Sequence, residues 1–355
     1  MKWLTAWLVL IAGGGLSACG DAAGNAGSKE FAQPSMRQRA EEIARLQRGR
    51  TSGADEARIV GLFLQTKGLE LTELKERVDA GADHRDLQQL VYRDIDDEAQ
   101  RKRLVAHLVR EGREVREKHG SQGVKVLSDI DDTLYPNFGD RRAWALGERF
   151  YPGIIEFYQA ITGTPPAGRA RITLVSARPE DRLGLLETLS GSSLRTRGLP
   201  PHTILSGSAW TLASVAPGAV GERATREIGD EKLEDFLTWS ELMAEFDFII
   251  SGDRTQADHV FAANALELED AHVLAGFIHD VGTASIRETP RLYYNATVLG
   301  HSVDAFAGGW IDRAGLVSVR DAVLRGREAR SYPPELTTAL DLDLARTQEI
   351  LGEGE

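Results

Sequence analysis

The residues best suited to chemistry stand where apolar runs end. Val124-Lys125-Val126-Leu127 leads into Ser128-Asp129-Ile130-Asp131-Asp132-Thr133, Arg171-Ile172-Thr173-Leu174-Val175 into Ser176, and Phe246-Asp247-Phe248-Ile249-Ile250 into Ser251-Gly252-Asp253, with Asp258 shortly after. Lys232 lies on the stretch that leads into the last of these runs. If the runs are neighbouring strands, their ends bring carboxylates, a hydroxyl and an ammonium to one edge. Crowded carboxylates repel unless a cation sits among them. A donor set of oxygens, without histidine or cysteine, suits Mg²⁺. The pattern predicts Asp129, Asp131, Asp253 and Asp258 around that metal, with a phosphoryl group bridging it and Lys232. Asp129 would attack phosphorus in line, and Asp131, two residues on, would protonate the departing oxygen. Ser176 and Lys232 would hold and neutralise the equatorial oxygens.

Positioning such a set needs strands that alternate with helices. Thr203-Ile204-Leu205 and Val273-Leu274-Ala275-Gly276-Phe277-Ile278 extend the series of short apolar or β-branched runs, and helical stretches separate most of them. This predicts an α/β fold, a doubly wound parallel sheet whose ligands lie beyond the carboxyl ends of the strands. The α/β domain is expected over 121–330. Before it, 51–120 is rich in Arg, Glu, Leu and Ala, with Leu71, Leu74 and Val78, then Leu104, Val105, Leu108 and Val109, at helical spacing. It is read as a helical segment packing one stripe on the next domain. Residues 331–355 are read as a tail.

The beginning of the chain points to export. Met1-Lys2 precedes an apolar run, Trp3 to Ala12, that is too short to span a bilayer and ends in small residues. Leu16-Ser17-Ala18-Cys19 is similar to the lipobox of bacterial lipoproteins, and accounts for the single cysteine of the chain. Residues 1–18 are therefore expected to be a lipoprotein signal peptide, Cys19 the lipidated residue, and 19–50 a tether and the start of the helical region. The expected location is the cell envelope, with the membrane as a partner through the Cys19 anchor. One cysteine excludes an intrachain disulfide framework or a cysteine-rich zinc site. With 42 Lys+Arg against 54 Asp+Glu, the net charge of −12 disfavours a general nucleic-acid binder.

Taken together the strand-end residues resemble the haloacid dehalogenase (HAD) superfamily of aspartyl-phosphate phosphatases. The first motif is similar to Asp129-Ile130-Asp131-Asp132-Thr133, the second to Ser176, the third to Lys232 and the fourth to Gly252-Asp253 through Asp258. Tyr151-Pro152-Gly153 leading to Phe157-Tyr158, and Phe277-Ile278-His279-Asp280-Val281, further resemble a DUF2183-type group that includes a phosphatidate phosphatase. The second motif here reads Val175-Ser176-Ala177-Arg178-Pro179, where the phosphatidate enzymes have Ser-Asn-Ser-Pro-Trp or a similar run. The resemblance covers roughly 124–281. It implies a HAD-like sheet, Mg²⁺ as cofactor, a phosphate ester as substrate with a lipid phosphate as first choice, and Thr133 and Arg178 as substrate contacts. The stretches 135–152 and 207–232 are too short for a full cap domain, so a minimal cap is expected, with the helical segment as candidate lid.

Other readings compete at single positions. Asp94-Ile95-Asp96-Asp97 repeats the start of the first motif, but Glu98 follows and the surroundings are highly charged, so this copy is assigned to a solvated helix surface. Asp258 fits a helix-start acid as well as a metal ligand. Arg178 fits a surface ion pair as well as a headgroup contact, and His279 is read as structural. For the whole chain the alternatives are a phosphatase of a soluble ester or phosphoprotein, a non-catalytic envelope scaffold, and a receiver-like phosphoacceptor. The last is disfavoured by Asp131, which would hasten loss of the phosphoryl group.

Overall fold

A computed structural model describes residues 34–47, 51–80, 86–136, 140, 149–163, 168–179, 194–207, 222–255, 257–282, 285–329, 332 and 334–353, with 176–179, 206–207 and 222–224 as backbone only. All of these residues except Pro34 belong to one compact unit, Ser35–Glu355. Six parallel strands form its sheet: β1 (Val124–Ser128), β2 (Ile172–Pro179), β3 (His202–Gly207), β4 (Asp247–Asp253), β5 (Val273–His279) and β6 (Leu292–Asn295). They lie in the order β3-β2-β1-β4-β5-β6. Helices cover both faces, and the chain reverses its winding between β1 and β4, so the crevice beyond these two strands is the natural ligand site of such a sheet.

Period-two alternation sorts the strand residues between two cores. Leu127, Val175, Leu205 and Ile250 join Phe236 and Trp239 on one side, while Val126, Leu174, Ile204 and Ile249 join Phe157 and Phe277 on the other. The first core also holds the amino-terminal helices α1 (Met36–Leu46), α2 (Gly53–Leu64), α3 (Gly68–Asp79) and α4 (Glu98–His119), through Ile59, Phe63, Leu74, Leu104 and Leu108. Ser35 and Ser52 begin α1 and α2 with reciprocal capping boxes, and Gly120 ends α4 with a φ of 73°.

After β1 come α5 (Ile154–Thr162), α6 (Glu222–Leu242), α7 (Asp258–Leu266), α8 (Val298–Ala307), α9 (Arg313–Glu328) and α10 (Pro334–Leu351). The stretch read as a tail contains α10, which buries Leu336, Leu340, Leu344 and Leu351 in the second core.

The helical segment is tied to the amino ends of the strands. Lys75 Nζ meets Glu245 Oε2 and the Leu242 carbonyl at 2.7 Å each, fully buried. Arg171 Nε pairs with Glu76 at 2.8 Å, Lys125 Nζ with Asp79 at 3.4 Å, and Arg116 with Asp247 at 2.5 Å. These anchors sit before β4, before β2 and at the start of β1, opposite the carboxyl edge. The expectation that this segment is a lid is corrected accordingly: its contacts stabilise the sheet from the far end.

Candidate active site

The sheet register delivers the acidic residues. Ser128 of β1 lies level with Ser251 of β4, and the Asp129 N–H donates to the Ser251 carbonyl at 3.0 Å, one step beyond the strand. Asp253 ends β4 level with His279 of β5, and Asp258 begins α7. One carboxylate oxygen from each of Asp129, Asp253 and Asp258 lies within 4.8 Å of the others, and all three residues are buried.

Gly252 makes this approach feasible. A Cβ there would stand 2.3 Å from the Asp258 Cβ. Without one, Asp258 Oδ2 reaches the Asp253 N–H at 3.2 Å.

Lys232, buried on α6, donates through Nζ to Asp258 Oδ1 and, at 3.4 Å, to Asp129 Oδ1. The Thr255 N–H and hydroxyl both donate to Asp253 Oδ1. Two carboxylate oxygens are left over: Asp129 Oδ2 and Asp253 Oδ2 are buried without a hydrogen-bond partner among the described residues. Leaving such atoms unsatisfied costs about 1–3 kcal/mol each, more for charged groups, and the three carboxylates lie close enough together that they could hold a cation. Hard oxygens from three aspartates fit a divalent ion such as Mg²⁺.

Electrostatics agree with this reading. Burial pushes the Asp129 carboxyl well above its ordinary range, and Asp258 and Asp131 add to the shift against the pull of Lys232. Burial likewise raises Asp253, with Asp258 and Asp129 next, against the hydrogen bonds from Thr255. For Lys232 burial alone would lower the ammonium, but Asp258 and Asp129 outweigh it and the net shift is upward. Lys232 therefore stays charged, while burial and the neighbouring carboxylates disfavour the ionised forms of Asp129 and Asp253.

Asp131 stands beside this cluster rather than within the triplet, half-buried and close enough to raise Asp129. The loop that carries it is sharply folded. Leu134 N–H donates to the Ile130 carbonyl and Asp132 N–H to the Tyr135 carbonyl, each at 2.9 Å, and Asp132 takes a φ of 56°. A left-handed non-glycine residue carries strain that its surroundings must hold. Here Asp132 Oδ1 accepts from the Asp140 N–H at 3.0 Å, and Asp140 Oδ2 accepts from the Tyr151 hydroxyl at 2.9 Å. Tyr151 in turn packs on the His279 ring, 4.4 Å between centroids. Beneath Asp129, the Tyr158 hydroxyl lies 2.7 Å from Ser128 Oγ and donates to Ser251 Oγ at 2.9 Å, linking β1 to β4.

The remaining sequence candidates are placed as follows. Thr133 is buried in the same loop, its hydroxyl without a partner among the described residues. Ser176 and Arg178 lie on β2, Ser176 level with Ser206 of β3, but their side chains, like Cys19, lie outside the described residues. Asp258 opens α7, as a helix-start acid does, and one of its oxygens also belongs to the carboxylate triplet. The second Asp-Ile-Asp-Asp run lies at a helix junction: Asp94 accepts from Gln47 Nε2 at 2.8 Å, Asp96 is exposed, and Asp97 caps α4 through the Gln100 N–H. Asp132, Asp140 and Tyr151 were not singled out from the sequence. The left-handed turn and the cross-loop bonds that give them a role have no local signature beyond the aspartates themselves.

Neither a family model, nor a curated protein, nor a solved structure matches the chain.

Proposed function

We propose that the protein is a Mg²⁺-dependent phosphomonoester hydrolase of HAD type that works through an aspartyl-phosphate on Asp129. The observation that carries the reading is the pair of buried carboxylate oxygens, Asp129 Oδ2 and Asp253 Oδ2, left without partners beside a buried lysine at the reversal point of the sheet. Asp129, Asp253 and Asp258 would hold the metal, which supplies positive charge against the phosphoryl oxygens and the attacking carboxylate.

The chain's own groups account for the rest. Asp129 sits past the end of β1 with an oxygen available to attack phosphorus. Lys232, fixed by Asp258 and Asp129, neutralises charge that builds on the phosphoryl oxygens. Asp131, outside the triplet and closer to solvent, would give a proton to the leaving oxygen and then take one from the water that cleaves the acyl phosphate. The strained turn at Asp132, braced by Asp140 and Tyr151, holds Asp131 beside Asp129.

A lipid phosphate at the cell envelope is the first-choice substrate, with Cys19 as the anchor. No helix among the described residues is long and apolar enough to cross a membrane, so attachment through the Cys19 lipid would carry that placement. The test is phosphate release from p-nitrophenyl phosphate. Release that requires Mg²⁺ and stops in excess chelator is expected, and full activity in chelator would overturn the reading.

A further inference from the structure

A groove beside the loop of Asp131 is lined by arginines that the proposed reaction does not use. Asp131 pairs through its backbone with Tyr135. The Tyr135 ring stacks on Phe150, 6.5 Å between centroids, and the Arg197 guanidinium lies over Tyr135 at 5.4 Å. Phe150 and Arg197 line one wall of a groove of about 650 Å³, which Tyr151 also lines. Through Tyr135 the groove adjoins the loop that carries Asp131. Its volume is in the range of small-molecule sites.

Among the described residues, three arginines, Arg149, Arg197 and Arg325, and one carboxylate, Glu156, line this groove, with Glu156 3.6 Å from Arg325. In a chain of net charge −12 this is a local reversal of sign, and such a reversal at the mouth of a site selects and concentrates anions. The geometry is fixed from behind. Gly326 lets α9 press against Pro152, where a Cβ would stand 2.5 Å from the proline Cβ, and this holds the neighbouring Arg325 at the rim. The amino end of α5, which has no side-chain cap, faces the same space through Gly153 and Ile155 and adds its partial positive charge.

We propose that the groove receives a second anionic group carried by the leaving alcohol, so that the preferred substrates are phosphomonoesters whose organic part bears another phosphate or a carboxylate. This rests on the phosphatase reading above. Guanidinium groups suit both anions through paired charge-assisted hydrogen bonds.

The experiment compares hexane-1,6-diol bisphosphate and 6-(phosphonooxy)hexanoate with hexyl phosphate, in full-length protein with Mg²⁺. The kcat/KM of one or both compounds with an anionic tail is expected to exceed that of hexyl phosphate by about tenfold or more. Which of the two gains tells phosphate from carboxylate. Arg197→Ala and Arg325→Ala should each cut that ratio several-fold, whereas Arg327→Ala, whose guanidinium pairs with Asp341 outside the groove, should leave it at the wild-type value. No phosphate release from any of the three compounds would refute the phosphatase reading. Release with a ratio near one, or a ratio that the Arg197 and Arg325 variants do not move, would refute the second-anion site alone. If those variants instead weaken binding to phosphatidylglycerol vesicles without changing the ratio, the groove is a membrane contact and the proposal falls.

Discussion

Gly252→Ala puts the geometry of the carboxylate triplet to a quantitative test. The added methyl would stand 2.3 Å from Asp258 Cβ and 2.7 Å from Asp258 Cγ, short by more than an ångström of the about 3.8 Å at which carbons rest. Asp258 must move away, because Gly252 lies inside a central strand paired on both sides. Such a move breaks the 3.2 Å hydrogen bond from Asp253 N–H and strains the ion pair with Lys232. Overpacking costs about 1–3 kcal/mol, and a lost hydrogen bond to a buried charged group about 1.5–3 kcal/mol. Together these give a loss of about 4 kcal/mol in urea unfolding. A displacement of about 1 Å in a catalytic constellation also lowers turnover by about a hundredfold, and the affinity for Mg²⁺ should fall with it. Gly61→Ala is the control. That glycine lies within α2 with open space around its Cβ position, so alanine there should stabilise by about 0.5–1 kcal/mol. Gly252→Ala within 1 kcal/mol of wild type by the same assay, with unchanged turnover, would refute the packing argument.

Asp131→Asn should separate the two halves of the reaction: a burst of nitrophenol from p-nitrophenyl phosphate, whose leaving group hardly needs a proton, followed by a slow steady rate in stopped-flow absorbance. Asp94→Asn, in the second Asp-Ile-Asp-Asp run, should leave the same trace at wild type, and an equal loss there would contradict the assignment. Asp235, half-buried on α6, has its carboxyl pushed up to about 6, by burial first and then by Glu231 and Glu234. Its folded-state value is raised, so its contribution is complete at acid pH and is lost as pH rises through about 6. At full burial such a shift is worth about 3 kcal/mol, which solvent at this half-buried position reduces to about 1 kcal/mol. Asp235→Asn should therefore be more stable than wild type in urea at pH 8 and equal to it near pH 3.5, and a gain at pH 3.5 instead would contradict this.

Much of the sheet is legible in the sequence because parallel strands buried on both faces read as bare apolar runs. Val124–Leu127, Arg171–Val175, Thr203–Leu205, Phe246–Ile250 and Val273–Ile278 each overlap a strand of the sheet. Leu292–Asn295 is a short edge strand, largely half-buried, and carries no such run. Leu336, Leu340 and Leu344 do show a helical period within 331–355, the stretch read as a tail. At the site, the residues at strand ends could be read directly, since a strand end and a following acid are local features. What could not be read is distance between elements. Asp258 joins the triplet only because Gly252 admits it, Asp131 stands outside because its loop turns left-handed at Asp132, and the helical segment packs at the amino edge through Lys75 and Arg116. The arginines of the groove come from three separate stretches of chain and share no motif.

In the proposed reaction Asp129 accepts the phosphoryl group. Turnover of p-nitrophenyl phosphate with Mg²⁺ can be quenched with borohydride, which reduces an aspartyl phosphate to homoserine, and the modified position read by peptide mass spectrometry. The modification is expected at Asp129 in the wild type and should be lost, together with turnover, in Asp129→Asn. Modification at another aspartate, or Asp129→Asn protein that still turns over at a substantial rate, would contradict it.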